Sequence, residues 1–186
     1  MIKKNNKKWE LLDRNIVYDG SPYIKVFKDK IKLPSNKIID DYHRIEVNDA
    51  VMLLIENEKK ELLVYNEYRH GLSEVTYTFP AGGIENNESL EMTSKREVME
   101  ELGYQFKKCK LLKNYIVSGS YMFAKLGIMY IKDIKKISEP KNMDIENPKI
   151  MWLPKDLVKE GILKDKFKGL TYATAALIWL LYKDEK

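Results

Sequence analysis

The run Gly82-Gly83-Ile84-Glu85-Asn86-Asn87-Glu88-Ser89-Leu90-Glu91-Met92-Thr93-Ser94-Lys95-Arg96-Glu97-Val98-Met99-Glu100-Glu101-Leu102-Gly103-Tyr104 begins as a loop and ends as a helix. Asn86 to Ser89 are helix-start residues, with Ser89 the expected N-cap. Glu91 adds a favourable charge to the first turn. The pattern predicts a helix from Leu90 to about Leu102, closed by Gly103 at the position where a left-handed glycine belongs. Gly82 lets the backbone ahead of it turn tightly.

On that helix Glu97, Glu100 and Glu101 stand at i, i+3 and i+4, so the three carboxylates share a face. Like charges at this spacing repel, and a surface helix would interleave lysine. Here Lys95 and Arg96 precede the cluster and no cation lies within it. A solvated acidic face is the plain alternative for the triplet alone. Divalent cations would relieve the repulsion, since carboxylate oxygens are the hard ligands that Mg²⁺ and Mn²⁺ prefer. Arg96 is expected on a different face from Glu100, free to pair with Glu88 through a bidentate bond that pins loop to helix.

The whole pattern, from Gly82 through Glu88 to Arg96-Glu97 and Glu100-Glu101-Leu102-Gly103, resembles the box of the Nudix hydrolase family. Tyr104 stands where an aliphatic residue is usual. Tyr65-Asn66-Glu67-Tyr68-Arg69, followed by Phe79-Pro80-Ala81-Gly82, is similar to the stretch before the box in the ADP-ribose pyrophosphatase group. Trp152-Leu153-Pro154 looks like that group's C-terminal part.

The resemblance implies a mixed α/β (α+β) Nudix fold, with a sheet sandwiched between helices. It implies Mg²⁺ (or Mn²⁺) held by Glu97, Glu100, Glu101 and the carbonyl of Ala81. Gly82, Glu88, Arg96 and Gly103 would be structural. Arg69 would contact substrate phosphates, and Arg44 is a further substrate-binding candidate. A late-loop acid would complete the catalytic set of Glu97, Glu100 and Glu101. Glu146 is the first candidate for it, and Asp144 and Glu139 are weaker ones. The reaction implied is hydrolysis of the pyrophosphate of a nucleoside-diphosphate sugar such as ADP-ribose. The alternatives are another nucleoside-diphosphate derivative (a dinucleotide, another sugar nucleotide, a capped RNA end) or a non-catalytic nucleotide sensor. Two departures bear on substrate. Thr78 replaces a Glu common in the group, and Val117-Ser118-Gly119-Ser120-Tyr121-Met122 lacks the usual Pro and acid.

Working outward, residues 1–45 read as an N-terminal β extension suited to dimerisation and substrate contacts, and 46–186 as the Nudix domain. Tyr23–Leu33 and Lys37–Val47 are strand-like runs. Ala50–Ile55 and Leu62–Tyr65 flank a polar turn and are expected to form a hairpin. Val75–Phe79 alternates and stops at Pro80. Met122–Ile131 is expected as one strand, Asp133–Pro148 as a polar loop, Lys149–Leu153 as a strand, and Leu170–Tyr182 as an apolar helix.

Of 186 residues, 44% are hydrophobic, enough for a core. The net charge of +5 is spread along a lysine-rich chain, so it reads as solubility before nucleic-acid binding. Arg occurs at Arg14, Arg44, Arg69 and Arg96, candidates for bidentate pairing. Cys109 is the single cysteine, which fits a reducing compartment. His43 and His70 lack paired zinc spacing. No secretory or membrane-spanning pattern is read, so a cytoplasmic location is expected. The resemblance to the ADP-ribose pyrophosphatase group implies a homodimer acting on a small molecule. Trp9, Tyr18, Tyr23 and Tyr42 are candidates to stack on a base.

Overall fold

The computed structural model describes residues 8–140 and 148–182. Along the chain they form β1 (Glu10–Gly20), β2 (Ile24–Lys32), β3 (Ile38–Glu46), β4 (Ala50–Ile55), β5 (Leu62–Arg69), β6 (Glu74–Thr78), β7 (Ala81–Gly83), α1 (Leu90–Leu102), β8 (Tyr104–Gln105), β9 (Cys109–Ile116), β10 (Met122–Phe123), β11 (Lys125–Ile131), β12 (Lys135–Lys136), β13 (Lys149–Leu153), α2 (Lys155–Leu163) and α3 (Leu170–Leu181).

Two compact units result. The first holds the described residues up to Asn48 and, in addition, Ile116–Lys125, a segment that the sequence division gave to the larger domain. Its link to the first unit is a parallel pairing of Met122 and Phe123 with Ile45 and Glu46, and the Ile45 amide donates to the Tyr121 carbonyl. The strand order is β1-β2-β3-β10. On β2, Phe27, Asp29 and Ile31 alternate onto one buried face. Asp29 tolerates that burial because Arg14, across the β1–β2 pair, donates to both its oxygens at 2.7 Å.

The second unit carries the box. Its main sheet runs β7-β4-β11-β9, with β4 antiparallel to β7 and parallel to β11. A second sheet runs β13-β5-β6, antiparallel throughout. Strand alternation sends neighbouring residues to opposite helices. Val51, Leu53 and Ile55 of β4 pack with Leu63 and Tyr65 of β5 and with Val98 and Leu102 of α1. Met52 and Leu54 pack instead with Leu62, Val64, Val158 of α2, and Ala175, Ala176 and Trp179 of α3. Sheet between helices is therefore the observed architecture, as the sequence led us to expect.

Three expectations change. The β4–β5 hairpin reduces to one bridge, Glu56 with Leu62, beyond which the strands enter different sheets. Each strand is buried on both faces and finds other partners: β4 takes β7 and β11, and β5 takes β6 and β13. The run Met122–Ile131 also divides, at Ala124: β10 joins the first unit's sheet and β11 the second's. Inside the expected polar loop, β12 forms a strand that pairs antiparallel with β8, which follows α1.

Candidate active site on helix α1

The helix has the expected bounds. Ser89 Oγ accepts from the Met92 amide, and Gly103 closes the far end at φ 68° with its amide directed at the Met99 and Val98 carbonyls. A Cβ on Gly103 would also meet the Ser138 carbonyl oxygen at 2.1 Å, so glycine is required there on two counts.

Arg96 is the hub. Its Nε and Nη2 each donate to the Glu88 carboxylate at 2.9 Å, a bidentate pair, and Nη2 also donates to the Gly83 carbonyl at 2.9 Å. Thr93 Oγ1 and the Glu85 amide donate to the same carboxylate. Loop, β7 and helix are thus tied through one guanidinium. The Arg96 bond, with smaller help from Glu85 and Thr93, holds the Glu88 carboxyl at about 2. Arg96 in turn is raised above its ordinary value, first by Glu88 and then by Glu97.

The sequence reading set Arg96 apart from Glu100, and this is corrected. Arg96 Nη1 lies 2.6 Å from Glu97 and 3.4 Å from Glu100. The spacing is i, i+4, which places the two side chains on neighbouring turns of one face. A cation therefore does stand beside the carboxylate cluster.

Glu97 is 8% exposed and sits against β7. A Cβ on Gly82 would fall 1.8 Å from its Oε1, so the carboxylate occupies the room that glycine leaves. Burial pushes the Glu97 carboxyl up, opposed by Arg96. Glu101, one turn on, accepts from the Tyr65 hydroxyl at 3.0 Å. Sequence reasoning missed Tyr65. Its signal was parity, since it follows Leu63 on the β5 face turned toward α1. Ala81 precedes Gly82 on β7, opposite Met52.

Among the described residues no three acidic, His or Cys side chains already close into a metal cluster. The donor set nonetheless fits a hard divalent cation. It offers a desolvated carboxylate in a glycine-made cradle, a second carboxylate oriented by a phenol, and Glu100 in between on the same helix.

Other candidates fall as follows. Arg69 ends β5, 3.3 Å from Glu67 and from the Tyr172 hydroxyl. Thr78 is wholly buried and donates to Glu67 at 2.5 Å, so an acid from the adjacent strand stands beside the position where the resembling group carries one. In the first unit, the Arg44 guanidinium lies over the rings of Phe27 (5.2 Å) and Phe123 (5.4 Å) and pairs with Glu46. Trp9 meets Tyr42 edge to face, while Tyr18 and Tyr23 are exposed. Glu139 is exposed and pairs with Lys136. Glu146 and Asp144 lie outside the described residues.

A helix whose acidic face is clamped to a glycine strand, carried by a sheet between helices, defines a Nudix protein, and the chain belongs to that family. The family model described as NUDIX domain matches residues 47–168. Among curated relatives, the chain is 22% identical to an ADP-ribose pyrophosphatase of Bacillus subtilis (strain 168) over 65% of each chain. It is 24% identical to the ADP compounds hydrolase NudE of Escherichia coli (strain K12), over 63% of this chain and 64% of that one. The matched region thus spans less than two thirds of either relative. A solved structure titled ADP compounds hydrolase superposes with a TM-score of 0.80 at 22% identity, covering 92% of both chains, which establishes the fold.

Proposed function

We propose that the protein hydrolyses the pyrophosphate of a nucleoside-diphosphate compound, a sugar nucleotide of the ADP-ribose type, with Mg²⁺ or Mn²⁺. The observation that carries this reading is the Glu97 carboxylate, seated where Gly82 has no side chain and braced by the Arg96–Glu88 clamp. The relatives named for ADP-ribose and ADP compounds support the substrate class.

Glu97, Glu101 and Glu100, with the Ala81 carbonyl, would hold the cation. When bound, it neutralises phosphate oxygens and lowers the pKa of an attacking water. The chain's own part is positional. Tyr65 orients Glu101, and Arg96 holds Glu97 and the loop to one geometry, so little reorganisation is left for the reaction. A carboxylate, Glu100 or the late-loop Glu146, takes the proton of the attacking water. Arg69 binds a phosphate. Arg44 is the second substrate-binding candidate. The first unit serves as the dimer contact.

The test is a panel of ADP-ribose, other nucleotide sugars, a dinucleotide and a capped RNA end, each with Mg²⁺ and with products resolved by chromatography. Formation of a nucleoside monophosphate and a sugar phosphate is expected. No cleavage of any member would overturn the reading and leave nucleotide sensing in its place.

A further inference from the structure

We infer that a pocket at the end of β5 is the subsite for the terminal sugar of the substrate, with Thr171 and Tyr172 as its specificity-determining hydroxyls. This rests on the reaction proposed above. The pocket measures about 480 Å³ and is lined by Arg69, His70 and Leu72 from the end of β5 and the turn after it, and by Thr171 and Tyr172 from the start of α3.

The pocket is a built feature. Arg69 is held from behind by Glu67, which is 7% exposed and accepts from the buried Thr78 hydroxyl. The opposite wall is fixed to the sheet by Thr76. Its hydroxyl donates to the Lys166 carbonyl and accepts from the Lys168 amide, both at 2.9 Å. Gly169 then admits the Tyr172 ring, because a Cβ there would meet it at 2.5 Å.

The chemistry of the lining selects the ligand. The Tyr172 oxygen accepts from Arg69 Nε at 3.3 Å, so its own hydrogen is left to donate elsewhere. The Thr171 hydroxyl makes no hydrogen bond among the described residues. Among the described residues the Arg69 charge is matched by Glu67, so this lining offers donors and acceptors with little net charge. A neutral polyhydroxyl ring suits that better than a second phosphate or a flat base, which would want more cation or more aromatic wall.

Position agrees. Tyr65, which touches Glu101, and Arg69 share a strand and a parity, about 13 Å apart at the ordinary strand rise. A diphosphate opened at the α1 carboxylates would carry its distal group along β5 toward Arg69.

The experiment compares ADP-ribose with ADP methyl ester, which keeps the anhydride and lacks the sugar, in wild type, Thr171→Val and Tyr172→Phe. The ratio of kcat/KM for the two substrates is expected to fall by three- to tenfold in each variant, chiefly through KM for ADP-ribose, on the order of one lost hydrogen bond. An unchanged ratio overturns the inference. Metal-free binding of ribose 5-phosphate by calorimetry gives a second readout that needs no catalysis. Wild type should bind it at least threefold more tightly than either variant, and equal or absent binding overturns the inference. If wild type cleaves neither nucleotide, the proposed reaction fails, and the ribose 5-phosphate titration still decides the pocket. Should Tyr172→Phe fail to fold, Thr171→Val on the same turn carries both measurements.

Discussion

Gly82 shows how one missing side chain shapes a site. Its place is taken by the Glu97 carboxylate, so Gly82→Ala must displace that group by an ångström or more. Misplacement on that scale costs about 10²-fold in rate. Steady-state kcat of Gly82→Ala, with circular dichroism to verify folding, checks this. Tyr65→Phe removes the donor to Glu101 while keeping the ring in its buried place. A fall in kcat/KM of about tenfold is expected, the worth of one hydrogen bond to a charged group. At this scale the sequence was partly readable. Glu88, Arg96 and the glutamates announced themselves by spacing. Tyr65, Glu67 and Thr78 did not, because their partners come from other strands and nothing local marks a buried hydroxyl that will meet a carboxylate. The placing of Arg96 away from Glu100 erred for a simpler reason: residues four apart on a helix are neighbours.

Among elements, α1 was legible end to end, since caps are local chemistry: Ser89 and Gly103 each adjoin the terminal turn that they close. Ser89→Ala should lower stability by about 1 kcal/mol, measured by urea melting. Strand pairing was less legible. Ala50–Ile55 and Leu62–Tyr65 read as a hairpin because only a short polar turn parts them, yet each is apolar on both faces and recruits other strands. On β2 the buried Asp29 is held below the usual carboxylate range, first by its hydrogen bonds from Arg14. A group depressed on folding stabilises fully above its unfolded pKa, near 3.9, and that contribution is lost as pH falls through the lower folded value. Asp29→Asn should therefore destabilise by roughly 1.5–3 kcal/mol at pH 7. The gap from wild type should shrink below about pH 4, as melts across pH 2.5–7 would show. A constant gap would contradict this account of Arg14 and Asp29.

For the whole molecule, the sheet between helices was expected from the family resemblance, and the structure shows how it is made: Val51, Leu53 and Ile55 pack on one side of β4, Met52 and Leu54 on the other. The return of Ile116–Lys125 to the first unit was invisible, because the parallel pair with β3 joins residues far apart in sequence. The described residues include no helix long and apolar enough to cross a membrane. Trp9, Leu11, Ile16, Val17 and Tyr18 stand exposed on and beside β1, an edge strand. Light scattering should report a dimer near twice 21.9 kDa, and a 21.9 kDa species would remove that expectation. The central claim is that α1 carboxylates hold divalent cations where a phosphoanhydride opens. Its most direct test is the rate of ADP-ribose cleavage against Mg²⁺ concentration, in wild type and Glu101→Gln. We expect saturation with Mg²⁺ in wild type and a loss on the order of 10²-fold or more in the variant; cleavage that ignores both Mg²⁺ and the substitution would contradict the account.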